Sequence, residues 1–299
     1  MQKYLFLFIK GIAMGIANVI PGVSGGTIAL ITNIYEDLIK SLKSFNLKAI
    51  KLIFSGKIRE FIEYTNFYFL VCVLGGSIVS LFSIAKLFEY LLVDYPEPVW
   101  SFFFGLILAS VYYVGLRINK WKTNTISLFI IGSAIAISIS FLSEASPNNN
   151  LFYVFICGAI GITGMILPGL SGSFILILMG NYKLLMVDAV SKSLELNIEY
   201  LTLLLMFLVG SIAGLVGFSN IIAWLFKRFK DQVLALLTGF ILGSLLIIWP
   251  WKIKAENGLI ESWYLPTDLN TLTILSISFI FIGIFSVMLL EYYSKETSK

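Results

Sequence analysis

Ile20-Pro-Gly-Val-Ser-Gly-Gly-Thr27 interrupts one long apolar run of this chain, and Leu167-Pro-Gly-Leu-Ser-Gly-Ser-Phe174 interrupts another. Pro168 follows Pro21 by 168 − 21 = 147 positions. A Pro-Gly pair (Pro21-Gly22, Pro168-Gly169) must break a helix, because proline lacks the N–H and clashes with the preceding turn. Glycine then accepts backbone angles that other residues avoid. Ser24 and Ser171 are each placed to cap a new apolar half-helix beyond the break. Two broken helices at corresponding places in two halves of a chain mark a transporter's binding site.

Composition fixes the class. The 299 residues are 58% hydrophobic and 13% charged, with mean hydropathy +0.92. A soluble domain carries about 25% charged residues, so this chain cannot cover a water-facing surface and reads as an integral membrane protein. The formal net charge of +4 is modest and gives no reason to expect a nucleic-acid partner. Histidine is absent, which removes the commonest metal ligand and general base. Cys72 and Cys157 lie in apolar runs without paired spacing and read as free thiols. Met1 to Ile9 has the look of a leader, but it ends at Lys10 without a small-residue cleavage site. Gly11 also matches Gly158, so the segment is expected to belong to the fold.

Apolar segments fall at 4–33, 67–92, 99–116, 125–142, 151–181, 201–226, 232–248 and 271–290. Gly76-Ser-Ile78 matches Gly210-Ser-Ile212, and Gly105 to Ser110 matches Gly239 to Ser244. The chain therefore reads as a duplication, 1–145 and 146–299, divided at a polar Ser-Pro-Asn-Asn-Asn stretch. Lys and Arg concentrate in 36–66, 117–124 and 227–231, whereas 93–98 and 143–150 carry only carboxylates among charged residues. Placing the basic connections in the cytoplasm makes six segments cross once. Segments 4–33 and 151–181 must then enter and return on one side as re-entrant hairpins. Each half has one hairpin and three crossings, an odd number, so the repeats are expected to be inverted, with both termini cytoplasmic. Between Leu38 and Tyr64, the stripes Leu38-Leu42-Phe45 and Ile50-Ile53-Phe54 alternate with lysines, as in helices lying on an anionic leaflet.

Hairpins entering from opposite faces would bring the two motifs together near mid-membrane. The amides of Gly25, Gly26, Thr27, Gly172 and Ser173 would converge there, with partial positive charge that suits a phosphate. The alternative is that these small residues only permit close helix packing. Lys86 can supply a countercharge to an anionic headgroup or simply snorkel outward beside Glu89. Arg117 can receive a phosphate at the cytoplasmic surface or merely anchor its helix. Glu36 and Asp37 close the first hairpin and can bind a coupling proton or cation; a solvated hairpin exit is the plainer reading.

The doubled motif, Pro21-Gly-Val-Ser-Gly-Gly26 and Pro168-Gly-Leu-Ser-Gly-Ser173, resembles that of the bacterial polyprenyl-phosphate transporter family. The resemblance covers nearly the whole chain. It implies a flippase of the bacterial cytoplasmic membrane that returns undecaprenyl phosphate from the outer to the inner leaflet. It implies no cofactor and assigns no role to Lys86 or Arg117. Two other functions fit parts of the pattern. Membrane undecaprenyl-diphosphate phosphatases carry Pro-Gly-x-Ser-Arg-Ser, but the arginine position here is Gly25 and Gly172, and no acid–base group stands beside the serine. A small-anion channel or exchanger would also use glycine-rich helix N-termini. A scaffold has little use for doubled broken helices.

Overall fold

The computed structural model describes residues 2–20, 22–193, 195, 197–255 and 259–296; Pro21 therefore lies outside the described residues. The protein is built almost wholly of helices. These are α1 (Gln2–Val19), α2 (Gly25–Ile31), α3 (Tyr35–Lys43), α4 (Leu47–Phe54), α5 (Ile58–Thr65), α6 (Phe67–Asp94), α7 (Pro96–Gly115) and α8 (Thr123–Ser140). They are followed by α9 (Leu151–Ile166), α10 (Gly172–Leu178), a π-helical turn (Lys183–Asp188), α11 (Ala189–Ser193), α12 (Ile198–Arg228), α13 (Lys230–Ser244) and α14 (Thr271–Glu296). One departure from an all-α fold lies between α13 and α14. There β1 (Lys252–Lys254) pairs antiparallel with β2 (Ile260–Trp263).

Three described helices are long and apolar enough to cross a bilayer: Pro96–Gly115, Ile198–Arg228 and Thr271–Tyr292. Two further pairs qualify only as bent units, Ile58–Thr65 with Phe67–Leu81 at 62° and Gly172–Leu178 with Lys183–Ser193 at 117°. With their outward-facing Ile, Leu and Phe side chains, these helices make the chain a multi-pass membrane protein. The free cysteines are Cys72, half-buried in α6, and Cys157, buried in α9.

α2 folds back on α1, and α10 on α9. α2 and α10 have seven residues each, about 10 Å of helix, against about 30 Å of hydrocarbon. α2 packs against α1, and Lys10 Nζ in α1 donates to Thr32 O just past the end of α2 at 2.8 Å. α10 packs against α9, and Tyr153 Oη near the start of α9 donates to Met179 O past the end of α10 at 2.8 Å. Each unit is thus a helical hairpin. α1 and α6 then run parallel: Tyr4 meets Tyr68, Gly11 meets Val73, and Gly15 meets Ser77. Parallel neighbours require the intervening chain to return to the side it left. α9 and α12 do the same, with Gly210 on Phe155 and Gly214 on Ala159.

These helix pairs approach closely through reciprocal glycines. Gly11 sits on the Val73 carbonyl and Gly76 on that of Phe8; Gly158 sits on Phe207 and Gly210 on Phe155. α7 meets α14 through Gly105 and Gly283, and α8 meets α13 through Gly132 and Gly239. Lipid gives no hydrophobic drive to helix association, so this backbone-to-backbone packing holds the bundle together. A Cβ on Gly105 would land on the Ile280 carbonyl. Gly105→Leu is therefore expected to cost about 3 kcal/mol through overpacking. Size-exclusion profiles and melting in detergent check this; a variant that stays monodisperse and melts as the wild type would contradict it.

The two ends of the bundle differ in charge. The connections after α2, after α7 and between α12 and α13 meet at one end. There Lys230 Nζ pairs with Glu36 Oε1 at 2.5 Å, and the Asn119 side chain donates to Asp231 at 3.0 Å. At the other end, Tyr264 Oη donates to Glu97 at 3.1 Å, and Phe141 packs on Trp263. The mouth of the first hairpin is at the basic end. The mouth of the second is at the opposite one, where Ala145 N donates to Leu178 O and Asn148 and Asn181 bond reciprocally. At the basic end, α4 and α5 leave Leu47, Ile50, Ile53, Phe54 and Ile58 exposed among lysines, while Leu38 of α3 is buried in the core.

Candidate functional site

The two motifs touch. Ser24 Oγ donates to Leu167 O at 3.1 Å and lies 3.3 Å from Met165 O, both in the second hairpin. In return Gly169 N donates to Thr27 Oγ1 at 3.0 Å. Gly26 lies against the Ile166 carbonyl so closely that no Cβ fits. Gly22 and Gly169 have φ of +93° and +85°, the left-handed turn that the Pro-Gly pair demands. Gly22 packs on Ile247, and Gly169 on the Phe240 backbone, so both tips also lean on α13 and the turn after it.

The motifs are chemically unequal. Around the first, every described residue from Gly22 to Leu30 is buried. Gly25 N donates to Asn18 Oδ1 at 2.8 Å, Gly26 N to Ser24 Oγ at 3.1 Å, and Thr27 N to Ser24 O at 3.0 Å. The amides expected to face an anion at Gly25, Gly26 and Thr27 are thus already satisfied within the first hairpin, and α2 offers no open donor. The second motif is open. Among the described residues Ser171 Oγ bonds only Ser173 Oγ, at 2.8 Å, and does not cap α10. Gly172 and Ser173 are half-buried, and among the described residues no protein acceptor takes their N–H groups.

These groups line a cavity of about 250 Å³ together with Asn18, Met165, Tyr182 and Ser211. Asn18 matters twice: its Oδ1 caps α2, and its side chain forms part of the wall facing Ser171. Its match in the second half is Met165, since 165 − 18 = 147. An amide on one side and a thioether on the other explain why one half-helix is sealed and its partner is not. Sequence reasoning passed over Asn18 as one polar residue in an apolar run, although the offset between the halves singles it out.

Arg117 is not at the motifs. It lies just past α7, where its Nη1 donates to Leu30 O and its Nη2 to Ile31 O at 2.7 Å. Nη2 also pairs with Glu291 Oε2 of α14 at 2.9 Å. Together with Lys10 on Thr32 O, it neutralises the carbonyl end of α2, where partial negative charge gathers. Neither Lys10 nor Glu291 was expected from the sequence. Lys86 falls within α6, and its side chain, like that of Glu89, lies outside the described residues.

A family model for undecaprenyl phosphate translocase-like proteins matches residues 14–263 of the chain. The chain belongs to the undecaprenyl phosphate translocase-like family. The match begins within α1 and takes in both repeated motifs and everything between them. A relative called polyprenyl-phosphate transporter in Vibrio cholerae serotype O1 is 43% identical over 251 residues, 84% of this chain and 79% of its own. Another of the same name in Staphylococcus aureus is 34% identical over 264 residues, 84% of this chain and 88% of its own. Both names are those of transporters and neither is that of an enzyme. No solved structure matches.

Proposed function

We propose that this protein carries polyprenyl phosphate across the cytoplasmic membrane of a bacterium, returning the lipid carrier from the outer to the inner leaflet. The observation that carries the reading is the junction of the two motifs, beside a largely apolar cavity into which Asn18, Ser171 and Ser173 bring polar groups. The family and the names of both relatives support it. A flippase must move a phosphate through hydrocarbon while the prenyl chain stays in lipid. Polar donors at mid-depth lower that barrier. In this reading the headgroup rests on Ser171, Gly172 and Ser173, with Asn18 opposite. The first motif, from Gly22 through Thr27, acts as the surface against which the second is braced.

The two halves are inverted repeats in this reading, 1–145 and 146–299, each a re-entrant hairpin and three crossings. The matched glycine pairs, the parallel packing of α1 on α6 and α9 on α12, and the hairpin mouths at opposite ends support it. The basic end is the cytoplasmic one by its lysines and arginines, and α4 and α5 lie on the inner leaflet there. Rocking of one hairpin against the other would open the cavity to each leaflet in turn. In this reading Glu36 and Asp37, beside the first hairpin's mouth, take a coupling proton or cation. Arg117 would meet the headgroup at the basic end, away from the junction.

Reconstituted vesicles holding a labelled prenyl phosphate test the proposal. Ser171→Ala with Ser173→Ala is expected to slow leaflet exchange about tenfold, the loss of roughly two weak donors to an anion. Unchanged exchange would remove the headgroup role of the second motif. Chloride flux without lipid movement in the same vesicles would replace the flippase by an anion channel, and release of inorganic phosphate from a diphosphate lipid would replace it by a phosphatase.

A further inference from the structure

We infer that the basic end holds a second anion site, separate from the hairpin junction, that takes a phosphate dianion. The inference rests on the transporter reading only for its biological use, as the point where a translocated headgroup is received. Its chemistry stands alone. A cavity of about 490 Å³ opens beside the end of α2, walled by Tyr35 and Phe226, whose rings lie 5.8 Å apart. A second cavity of about 340 Å³ adjoins it and shares Glu36, Lys40 and Phe226. Around the two stand Lys40, Lys43, Arg117, Lys227 and Lys230, against Glu36 and Asp37, with Glu291 facing Arg117 from α14. Cations outnumber carboxylates, so the site suits an anion rather than a metal ion.

Two features mark it as built for a ligand. Tyr35 lines the larger cavity, is only 2% exposed, and its hydroxyl, sealed from solvent, has no hydrogen-bond partner among the described residues. A buried unsatisfied hydroxyl costs about 1–3 kcal/mol, a penalty that an anionic oxygen would relieve. Arg117 is the second feature. A guanidinium has five N–H donors. Three serve Leu30 O, Ile31 O and Glu291, which leaves Nε–H and one Nη1–H without an acceptor among the described residues. At the rim, Glu36 holds Lys230 at 2.5 Å and Lys40 at 3.8 Å, and each ammonium keeps further donors for a ligand. One arginine, two lysines and a phenol match the donor set of a phosphate monoester.

The anion has two sources, a lipid headgroup or free phosphate, and the experiment separates them. The full-length protein in nanodiscs is titrated calorimetrically with inorganic phosphate, then with a short-chain prenyl phosphate. Both are expected to bind. Lys40→Gln with Lys230→Gln is expected to weaken both about tenfold, the loss of charge-assisted contacts. Tyr35→Phe is expected to weaken them about threefold. Lys48→Gln with Lys51→Gln, which removes the same charge from exposed α4, is expected to change neither. If only the prenyl phosphate binds and still depends on Lys40 and Lys230, the site stands as a headgroup site. If it binds the lysine-pair variant as tightly as the wild type, or if neither ligand binds, the inference is overturned. The Ser171→Ala, Ser173→Ala protein separates this from the transporter reading. Binding retained there while exchange slows supports a second site. Binding lost there but kept in the lysine variant removes the second site and leaves the junction intact.

Discussion

Arg117→Met is expected to lower the stability of the folded protein by about 3 kcal/mol, the scale for removing one partner of a largely buried ion pair with its carbonyl bonds. Two consequences combine. Glu291, whose side chain is 9% exposed, loses its guanidinium partner. Leu30 O and Ile31 O lose their donors at the end of a seven-residue helix. Short helices depend on their terminal partners, because few of their carbonyls are bonded internally. Lys10 on Thr32 O remains and limits the damage. The partner carboxylate sharpens the test. Since an apolar pair is often as stable as a buried ion pair, Arg117→Met with Glu291→Met should melt closer to the wild type than the sum of the single losses. Melting in detergent, followed by tryptophan fluorescence, reads all three. A single variant that melts with the wild type would show that the arginine is not holding α2.

The Pro-Gly breaks were legible because proline and glycine act locally, whatever surrounds them. Charge counting was as informative: the three basic connections do meet at one end, through Glu36–Lys230 and Asn119–Asp231. Most helix limits followed hydropathy within a few residues. The exceptions were α13, ending at Ser244 rather than continuing to 248, and α14, running on to Glu296 rather than stopping at 290. The β-hairpin was missed although its signals were present, Lys252-Ile-Lys and Ile260-Glu-Ser-Trp flanking Asn257-Gly258. In a chain this apolar, a short polar stretch reads as a mere connector. The harder failure concerned the amides. Sequence symmetry made both half-helix N-termini look open, but donors are satisfied by side chains from other turns. Asn18 sits seven residues before Gly25 and reaches it only once α2 folds back on α1. Nor could the pairing of Arg117 with Glu291, 174 positions apart, be read from either neighbourhood.

Gly26→Val is expected to reduce lipid exchange at least about tenfold, because it acts on the contact that joins the hairpins. A Cβ at this position would fall on the Ile166 carbonyl, which is backbone and cannot swing aside. Relief requires α2 to withdraw from the end of α9. Withdrawal lengthens the Ser24–Leu167 bond from 3.1 Å and the Gly169–Thr27 bond from 3.0 Å, so the two cross-hairpin bonds fail together. The overpacking itself costs about 1–3 kcal/mol, and the two bonds add about 1 kcal/mol each. The wall of the 250 Å³ cavity moves as well, since Asn18 is tied to Gly25, the residue before the substitution. Gly217→Ala is the matched control: a Cβ built there meets open space beyond its own turn of helix, with no other described heavy atom within 4 Å. It should exchange lipid as the wild type does. Leaflet exchange in vesicles with equal protein incorporation is the measurement. A Gly26→Val protein that folds and exchanges at the wild-type rate would mean that the joined motifs are a packing detail and not the pathway. If the rate falls while Ser171→Ala with Ser173→Ala leaves it unchanged, the junction acts as a hinge and the headgroup is held elsewhere.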